Sequence, residues 1–423
     1  MAIDKNATIN LVQDIDTLYE EIAGKWLSKD QREMFKRAVL GPALEEVRHM
    51  ITDSRPPRIY LIGRSGEGKS SLINALVGRH EAMVSDVKRG QTTSERYYVS
   101  FPKSYSSWDI YDSRGIFDPD VIVGQAEEES LEFLKRDLIE KKPDIILHVI
   151  AARSIRNLSC DIKALKEVSS HLMSHGQVMP KTLVVISQPD LLGDRAVWPP
   201  DACVTKAGLI LEAMDYLCAV LKVKSVAPLN LNSRLDGYRV NDEAYAGIIP
   251  ACLFMDLAKN RDDRWNVDTL SDFIGEELPE AAKLDFAQAQ KRKELLMKMS
   301  ASVIKRFASI ATGIGGVPVP VPDIVILTPL QLLMVSIIAG LSCRPLSSDT
   351  AKEYLAAAGV NVGAAFALRE GARQLVKLIP IKGAVISAGI AGASTYGIGK
   401  AAEAYFFLDK RVDPKDAAGQ WKA

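Results

Sequence analysis

A glycine-rich stretch at residues 63–70 constrains this chain more than any other part of its sequence. It has the form G-x-x-x-x-G-K-S, and it stands between an apolar run at 58–62 and a helical pattern at 72–78. This strand, loop and helix are the context that the phosphate-binding P-loop motif requires. Glycines let successive N–H groups converge on phosphate oxygens, and the helix N-terminus adds the positive end of its dipole. The pattern predicts binding of a nucleoside triphosphate.

Individual residues of the loop have predicted roles. The Lys69 amine is expected to bridge the β- and γ-phosphates, and the Ser70 hydroxyl is expected to bind Mg²⁺. The alternative is a chance glycine turn ahead of a helix, which the complete motif with both flanks disfavours. The predicted nucleotide contacts in the loop are Gly63, Arg64, Ser65, Gly66, Glu67, Gly68, Lys69, Ser70 and Ser71.

Length and composition set broad limits. A chain of 423 residues exceeds one ordinary core, so we expect two domains and an N-terminal arm. Lys plus Arg and Asp plus Glu both total 53, and this zero net charge argues against a dedicated nucleic-acid binder. The five cysteines form no CxxC pair, and the N-terminus has no basic start followed by an apolar run. Reduced thiols and a cytoplasmic location are expected.

Two amphipathic helices are predicted before the P-loop. Residues 9–27 place apolar side chains at helical intervals, and a second such pattern covers 28–51. Ser28 stands three residues before Gln31, which is the spacing of a capping box at a helix start. The segment 53–57 then contains two prolines and is expected to end the helix. These helices form the predicted N-terminal arm.

Two later segments are candidates for closing over the metal and the γ-phosphate. Thr92 and Thr93 precede an alternating run, and either hydroxyl is a candidate Mg²⁺ ligand, although threonine also favours strands on its own. A strand at 108–111 leads into D-x-x-G, in which Asp112 would hold Mg²⁺ through a water and the Gly115 N–H would sense the γ-phosphate. The distance of this motif from the P-loop favours the functional interpretation over a chance turn.

Strands and helices alternate through the middle of the chain. Helices are predicted at 125–141, 160–174, 205–222 and 268–278, and strands at 143–150, 182–186 and 225–230, the last being the final strand of the sheet. The fold class is therefore α/β, a mostly parallel sheet with helices on both faces. His148 lies inside a near-continuous apolar run, so a buried structural histidine is favoured over a catalytic one.

The strand at 182–186 ends in Ser187-Gln188-Pro189-Asp190, where base recognition is expected. Asp190 can accept from the N1–H and the 2-amino group of guanine, and adenine has neither donor there. An unpaired buried carboxylate is costly, so this residue would discriminate between the bases. Gln188 stands where a lysine stem would stack on the base, and Ser187 stands where Asn or Thr is usual. The motif predicts guanine recognition in a degenerate form.

These motifs together resemble those of the Era-like GTPases. The resemblance rests on residues 63–76, 91–93, 112–115 and 187–190, and it covers roughly residues 56–280. It implies a P-loop GTPase domain that binds GTP or GDP with Mg²⁺ and hydrolyses GTP to GDP and phosphate. The implied metal ligands are Ser70, Thr92, Thr93 and Asp112, the implied catalytic residues are Lys69, Thr93, Gly115 and Arg114, and Gln188 and Asp190 would hold the base.

Three positions depart from the family pattern. Arg114 stands where proline is common, Ile116 where Ras-type enzymes carry a water-positioning glutamine, and Gly66 where potassium-activated relatives carry asparagine. Hydrolysis then lacks an evident catalyst within the domain, which implies slow turnover without a partner or a dimer. Arg64 and Arg114 are the candidates to supply charge, and the alternative is that both are exposed and pair with acids.

The C-terminal third is hydrophobic and is predicted to be helical. Residues 281–312 are expected to form one long helix with a solvated basic face. Uncharged stretches follow at 324–343 and 383–399, and the first is close to the roughly 20 residues that a bilayer needs. Two interpretations stay open, a membrane-inserting hairpin or the buried helices of a bundle. The amphipathic pattern at 350–378 favours the bundle. This part also resembles the YcjF-type helical domain, through residues 317–323, Gln331, 379–383 and 395–397.

The predicted organisation is an N-terminal helical arm at 1–55, a P-loop GTPase domain at 56–280 and an all-α domain at 281–423. The leading hypothesis is a GTPase switch whose loops near 86–96 and 112–124 move the helical domain. The alternative is a membrane-associated assembly or remodelling protein like the dynamin-like and interferon-inducible GTPases. A homodimer and a membrane or membrane-protein partner, at the inner face of the membrane, are compatible with the chain, whereas nucleic acid is not expected.

Overall fold

The computed structural model describes residues 5–24, 27–47, 54–77, 94–101, 106–113, 125–223, 226–231, 233–256, 261–290, 292–315, 324–342, 344, 354 and 388–421. The chain divides into two compact units. The helical unit comprises residues 1–55, 101–106 and 287–423, and the sheet unit comprises 56–100 and 107–286. The sequence-based domain boundaries at 55 and 280 stay predictions.

The sheet unit is built on an eight-stranded mixed sheet. Its strand order is β2-β3-β1-β4-β5-β8-β7-β6. Strand β1 pairs in parallel with β3 and β4, β4 pairs in parallel with β5, and β5 pairs in parallel with β8, whereas β7 pairs antiparallel with both β8 and β6. The strands are β1 Arg58–Ile62, β2 Ser94–Phe101, β3 Ser106–Ser113, β4 Ile145–Ala151, β5 Thr182–Ser187, β6 Val226–Asn230, β7 Ser233–Val240 and β8 Tyr245–Ala251. A separate two-stranded ribbon joins β9 Met255–Asp256 to β10 Arg261–Asp262.

The predicted final strand at 225–230 is not the strand that extends the parallel sheet. Strand β6 lies at the edge and pairs antiparallel with β7, while β8 lies beside β5. All seven residues of β8 are buried, including Pro250, whose presence argues against a central strand when only the sequence is read. Partner strands far apart in sequence decided this arrangement, so the loop that follows β8, not β6, lies beside the end of β5.

Helices cover both faces of the sheet. They are α4 Lys69–Val77, α5 Gln125–Lys141, α6 Ser159–Ser174, α7 Val204–Leu221, α8 Val267–Glu277 and α9 Glu280–Gln290. Ile146 and Ile150 lie four residues apart on one face of β4. Ile146 packs with buried residues of α5 and α6, and Ile150 packs with buried residues of α7. Helix α4 contacts α8, which packs on β8 with Phe273 against Gly247. The predicted sheet with helices on both faces is confirmed.

The N-terminal helices form as expected. Helix α1 spans Lys5–Ala23, and α2 begins at Lys29 behind a complete Ser28–Gln31 capping box. Helix α2 Lys29–Phe35 continues through a π turn, Lys36–Leu40, into α3 Gly41–Val47. Tyr19 is fully buried and donates a hydrogen bond to the Arg32 carbonyl at 2.9 Å. This bond joins the two amphipathic helices.

The predicted single helix at 281–312 is two helices in the structure. Helix α9 ends at Gln290 and α10 spans Lys293–Gly315. The Arg292 N–H bonds back to the Ala287 carbonyl at 3.0 Å, which is a six-residue closure typical of a helix end. The predicted solvated face of this region is present in α10, where Lys293, Lys298, Lys305 and Arg306 are exposed.

Helix α11, Ile324–Leu341, is the first of the two uncharged stretches. It contacts α1, α10 and α12, the last spanning Ala388–Leu408, and every side chain described from Leu330 to Leu341 is buried. Gln331 donates to the Thr395 hydroxyl of α12 at 3.0 Å within this core. A short helix, α13 Pro414–Ala418, packs on α12. The packing supports the bundle interpretation of this stretch.

Helix α12 extends beyond the end of the second uncharged stretch, which lies at 383–399. The helix includes the ion-paired Lys400 and Glu403. The amphipathic segment predicted at 350–378 lies outside the described residues except for Tyr354. Within the part of the chain that the structure describes, no helix combines the length and apolarity needed to cross a membrane.

Candidate nucleotide-binding site

The predicted site residues that the structure describes lie at the carboxyl ends of neighbouring parallel strands. The loop at 63–68 follows β1, Asp112 lies at the end of β3, and residues 187–190 end β5. Because β1 stands between β3 and β4, with β5 next, these segments meet at one edge of the sheet. Ligands of open α/β sheets bind at such an edge.

Glycine is required at two positions of the loop by backbone geometry. Gly63 has φ +148°, and a Cβ there would lie 2.3 Å from the Val149 carbonyl oxygen. Gly68 has φ +95°, in the region that side chains rarely adopt. The spacing of the motif is thus explained by one close approach to β4 and one left-handed turn before α4.

Lys69 begins α4, and its side chain folds back over the loop. The ammonium group donates to the carbonyl oxygens of Gly63 at 2.8 Å and Arg64 at 3.1 Å, and the residue is buried. These bonds hold the cation in the loop where the N–H groups at the start of α4 also lie. Concentrated positive charge at a helix N-terminus is the arrangement that stabilises phosphate.

The donor set for a divalent cation consists of a hydroxyl and a carboxylate. Ser70 lies in the first turn of α4, and the Asp112 carboxylate is buried near the end of β3. Asp112 pairs in register with Leu61 of β1. Ser113 donates to the Leu61 carbonyl at 2.7 Å and fixes the strand end. The described residues contain no cluster of three His, Cys, Asp or Glu side chains that could hold a metal alone. A hydroxyl, one carboxylate and phosphate oxygens suit Mg²⁺, which is usually held in this way.

The two unusual residues of the base motif bind the phosphate loop. Ser187 is fully buried and donates to the Glu67 carbonyl at 2.5 Å, and the Gln188 amide donates to the Gly66 carbonyl at 3.0 Å. Gln188 reaches this position from a left-handed backbone, φ 54° and ψ 40°. Serine and glutamine therefore tie the end of β5 to the loop after β1. The base segment and the phosphate segment are held in fixed register.

Asp190 is held by residues that the sequence did not single out. Buried Lys206 of α7 donates to the carbonyl oxygens of Asp190 at 2.7 Å and Leu192 at 2.5 Å. Cys252, just after β8, lies with its sulfur 3.5 Å from Asp190 Oδ1. Burial raises the pKa of the Cys252 thiol to about 12, so the thiol keeps its proton and donates to the carboxylate. Lys206 thus sets the backbone, and Cys252 the side chain, of Asp190.

Neither supporting residue had a usable sequence signal. Lys206 lies within an ordinary amphipathic helix, and Cys252 follows a strand that the sequence did not predict. Ser187 and Gln188 were located by their position in the motif, although their bonds to the loop were not foreseen. Four predicted residues, Thr92, Thr93, Arg114 and Gly115, lie outside the described residues.

The Arg64 side chain is held in place by hydrogen bonds. Its guanidinium donates to Asp161 Oδ1 at 2.9 Å and to the Asn157 carbonyl at 2.5 Å. Asp161, in the first turn of α6, is fully buried, and its other oxygen lies 3.6 Å from His148 Nε2. Burial alone would raise the pKa of Asp161, but His148 and Arg64 outweigh it and hold that pKa below its ordinary value. Arg64 therefore pairs with an acid, as one alternative expected, but its side chain is only 16% exposed, whereas that alternative expected an exposed arginine.

The Glu67 side chain is buried and bonds back to the start of the loop. Its side chain is 3% exposed, and Oε2 accepts a hydrogen bond from the Arg64 backbone N–H at 2.7 Å. Burial raises the pKa of this carboxyl, an effect that the Arg64 N–H partly offsets. His148, a buried residue of β4, lies in the same group of ionisable side chains as Asp161 and Arg64, and its burial agrees with the predicted buried histidine.

Comparison with known proteins agrees with the motifs. Residues 58–186 match a family described as "50S ribosome-binding GTPase". GTPase Der of Thermosipho africanus is 35% identical over 102 residues, which are 23% of this chain and 21% of that protein. GTPase Der of Nitratidesulfovibrio vulgaris is 41% identical over 61 residues, 14% of this chain and 12% of that protein. The chain thus spans about a fifth or less of the length of these curated relatives.

Solved structures with similar chains include Era in complex with MgGDPNP and a segment of 16S ribosomal RNA. That comparison has 17% identity and a TM-score of 0.34, and covers 61% of this chain and 68% of Era. Toc33 of Arabidopsis thaliana in complex with Mg²⁺ and GMPPNP has 16% identity and a TM-score of 0.34, over 63% of this chain and 95% of Toc33.

Fold and site together define the class. Residues 58–186 match a GTPase family, carry the P-loop on β1 and α4, and lie in a mostly parallel sheet covered by helices. The chain therefore contains a P-loop GTPase domain, and Der proteins are among its sequence neighbours.

Proposed function

We propose that this chain is a Mg²⁺-dependent switch protein that binds GTP and hydrolyses it to GDP and phosphate. One observation carries the proposal: the phosphate loop and the Asp190 segment are tied together by the Ser187 and Gln188 bonds to loop carbonyls. A site with phosphate donors at one end and a fixed carboxylate acceptor at the other matches the two ends of a guanine nucleotide.

The residues have distinct roles in this proposal. The loop N–H groups and Lys69 bind phosphates, and Ser70, Asp112 and one of Thr92 or Thr93 hold Mg²⁺, which when bound neutralises charge on the phosphate oxygens. Asp190 accepts from the guanine donors, with Cys252 orienting one carboxylate oxygen and the Gln188 stem covering the base. The same edge of the sheet then serves both binding and discrimination.

Hydrolysis needs a group that stabilises charge in the transition state. Lys69, Thr93, Gly115 and Arg114 are the proposed catalytic residues. The bonds from Arg64 to Asp161 and Asn157 favour Arg114, of the two arginines, as the one that reaches the phosphates. Turnover is expected to be slow in the isolated monomer because Ile116 cannot orient a water.

The test compares GTP and ATP binding by the purified full chain, with and without Mg²⁺, and repeats it with Lys69→Ala. We expect a guanine preference, Mg²⁺ dependence and loss of triphosphate binding in the variant, because the bridging cation is gone. Glu212→Ala, an exposed change on α7, is the control. Parental GTP affinity in Lys69→Ala, or equal affinity for ATP, would contradict the proposed function.

Control of the helical unit by the nucleotide is part of the same proposal, as is a cytoplasmic location. A second candidate function is membrane-associated assembly. It is supported by the helical unit, in which residues from before and after the sheet unit pack together, α1 against α11. Flotation of the purified chain with liposomes, with and without GTP, separates the two. Nucleotide-dependent flotation favours the second function, and a chain that stays in the bottom fraction in both states favours the first.

A further inference from the structure

Glu67 closes the phosphate loop through two hydrogen bonds with Arg64. Its carboxylate accepts from the Arg64 N–H at 2.7 Å, and its own backbone N–H donates to the Arg64 carbonyl at 3.3 Å. Residues 64 and 67 are therefore bonded to each other in both directions, and the bond from the Arg64 N–H to the Glu67 side chain has the form of one of the two bonds of a capping box. The geometry of this pair sets the width of the loop at the point between Gly63 and Gly68.

The closure is anchored beyond the loop. The Arg64 guanidinium binds Asp161 and the Asn157 carbonyl, and Asp161 lies against His148 of β4. Glu67 thus sits in a buried group of four ionisable side chains that reaches from the loop to β4 and the start of α6. All four are buried or half-buried, so water screens their interactions only weakly.

Other loop carbonyls accept hydrogen bonds from side chains. Lys69 donates to the carbonyl oxygens of Gly63 and Arg64. Gln188 donates to the Gly66 carbonyl, and Ser187 donates to the Glu67 carbonyl. Side-chain donors therefore hold the carbonyl side of the loop, while Glu67 supplies an acceptor for a loop N–H. A backbone held from both sides loses little further freedom when a ligand binds.

A carboxylate in this position has an energetic cost. It is removed from water, and it lies beneath a loop that binds anions, so its charge opposes phosphate. A side chain that served only to fill this space would be better apolar. The hydrogen bond to Arg64 is the feature that an apolar side chain cannot reproduce, and it must outweigh the electrostatic cost.

We propose that Glu67 is a positioning residue that holds the phosphate loop in its nucleotide-binding shape before nucleotide arrives. This inference rests on the proposed function, since it concerns the affinity of the same site. It makes the hydrogen bond, and not the charge, the property that matters. Two conservative substitutions separate these properties.

The experiment uses Glu67→Gln and Glu67→Asp in the full chain. Gln keeps an acceptor at the same reach and removes the charge, whereas Asp keeps the charge on a side chain one methylene shorter. We expect GTP affinity within about threefold of the parent for Gln, and weakened about tenfold to a hundredfold for Asp. Glu212→Gln and Glu212→Asp, at an exposed position on α7, are the matched controls and should change nothing.

Amide hydrogen exchange in the nucleotide-free protein is a second, independent measurement of how firmly the loop is held. The Arg64 N–H should stay protected in the parent and in Glu67→Gln, and exchange about tenfold faster or more in Glu67→Asp. If Asp keeps affinity and protection while Gln loses them, charge is the relevant property and the proposal is wrong. If neither change affects exchange or affinity, Glu67 has no positioning role. A parent chain that binds no GTP contradicts the proposed function, and the exchange data still decide the role of Glu67.

Discussion

At the scale of single residues, two positions at the end of β5 that differ from the usual base motif make defined contacts with the loop at 63–68. Gln188 donates to the Gly66 carbonyl and Ser187 to the Glu67 carbonyl, so an amide and a short hydroxyl link the base segment to the phosphate loop. The resemblance alone made these two positions departures from the family pattern. Their contacts link the end of β5 to the loop, and in the proposed function base selection depends on Asp190.

Asp190→Asn should weaken the preference for GTP over ATP. The carboxylate offers two acceptors to the guanine N1–H and 2-amino group, whereas an amide offers one acceptor and one donor. A charged hydrogen bond is worth about 1.5–3 kcal/mol, so the preference should fall by about tenfold to a hundredfold. Competition binding with both nucleotides measures it, with Asp194→Asn, an exposed neighbour, as the control. An unchanged preference would mean that another residue selects the base.

The pH dependence of stability should differ between the parent and Glu67→Gln. The pKa of Glu67 is raised in the folded chain from its ordinary value of 4.5, chiefly by burial among Arg64, His148 and Asp161. The folded state therefore holds this proton more tightly than the unfolded state. The stability linked to it is complete below the ordinary value and is lost as pH rises through the folded pKa.

The glutamine amide of Glu67→Gln does not titrate in this pH range, so only the parent loses stability there. The free energy of unfolding of Glu67→Gln, relative to that of the parent, should increase across that pH interval and then level off. Calorimetric unfolding of both proteins at a series of pH values measures the difference. Glu212→Gln supplies the control. A constant difference between the parent and Glu67→Gln at every pH would show that the carboxyl does not titrate differently on folding.

At the scale of elements, burial distinguishes helices that look alike in sequence. Helices α10 and α11 are both apolar over much of their length, but α10 keeps an exposed basic face, whereas the described side chains of α11 are buried from Leu330 onward. A helix buried on all sides needs polar side chains to be satisfied internally. The Gln331–Thr395 hydrogen bond meets that need between α11 and α12, and Gly397 lets α12 approach Pro414 closely.

Thr395→Val should destabilise the helical unit by about 1–3 kcal/mol, because it leaves the buried Gln331 amide without its acceptor. Adding Gln331→Met should recover most of this loss, since both polar partners are then replaced by apolar groups. Chemical unfolding of the single and double variants, followed by circular dichroism, gives the two values. Additive losses in the double variant would show that the two side chains do not act as a pair.

At the scale of the whole molecule, the chain divides into two compact units. Residues 1–55 and 287–423 cluster in one helical unit, and the sheet unit is inserted between them in sequence. An inserted nucleotide-binding unit is connected at both ends to the same helical unit.

The GTPase rate per molecule should rise with protein concentration if a second copy supplies the missing catalytic charge. An arginine supplied in this way is typically worth roughly 10³–10⁵ in rate. Arg114→Ala should lower the rate at high concentration, while Arg195→Ala, an exposed arginine of the same unit, should not. Phosphate release measured over a dilution series tests this. A rate that ignores both concentration and Arg114 would point to a separate activating partner.

Local patterns determined much of this protein from the sequence alone. The P-loop, the capping box at Ser28, most strands and helices and the position of Asp190 depend on residues close together in the chain, where spacing and backbone preference are sufficient. The glycines at 63 and 68 belong here as positions of the motif, although the carbonyl oxygen that excludes a side chain at Gly63 comes from Val149 of β4.

Tertiary structure alone decided the rest. The support of Asp190 by Lys206 and Cys252 and the contact of Arg64 with Asp161 join residues 16 to 97 positions apart. The place of β8 beside β5 joins strands that are separated in sequence by a whole helix. Sequence patterns cannot assign such partners, because many side chains of the same type could make each contact. Only the burial and the strand order of the folded chain select one of them. The packing of α1 against α11 is the same case at the largest separation.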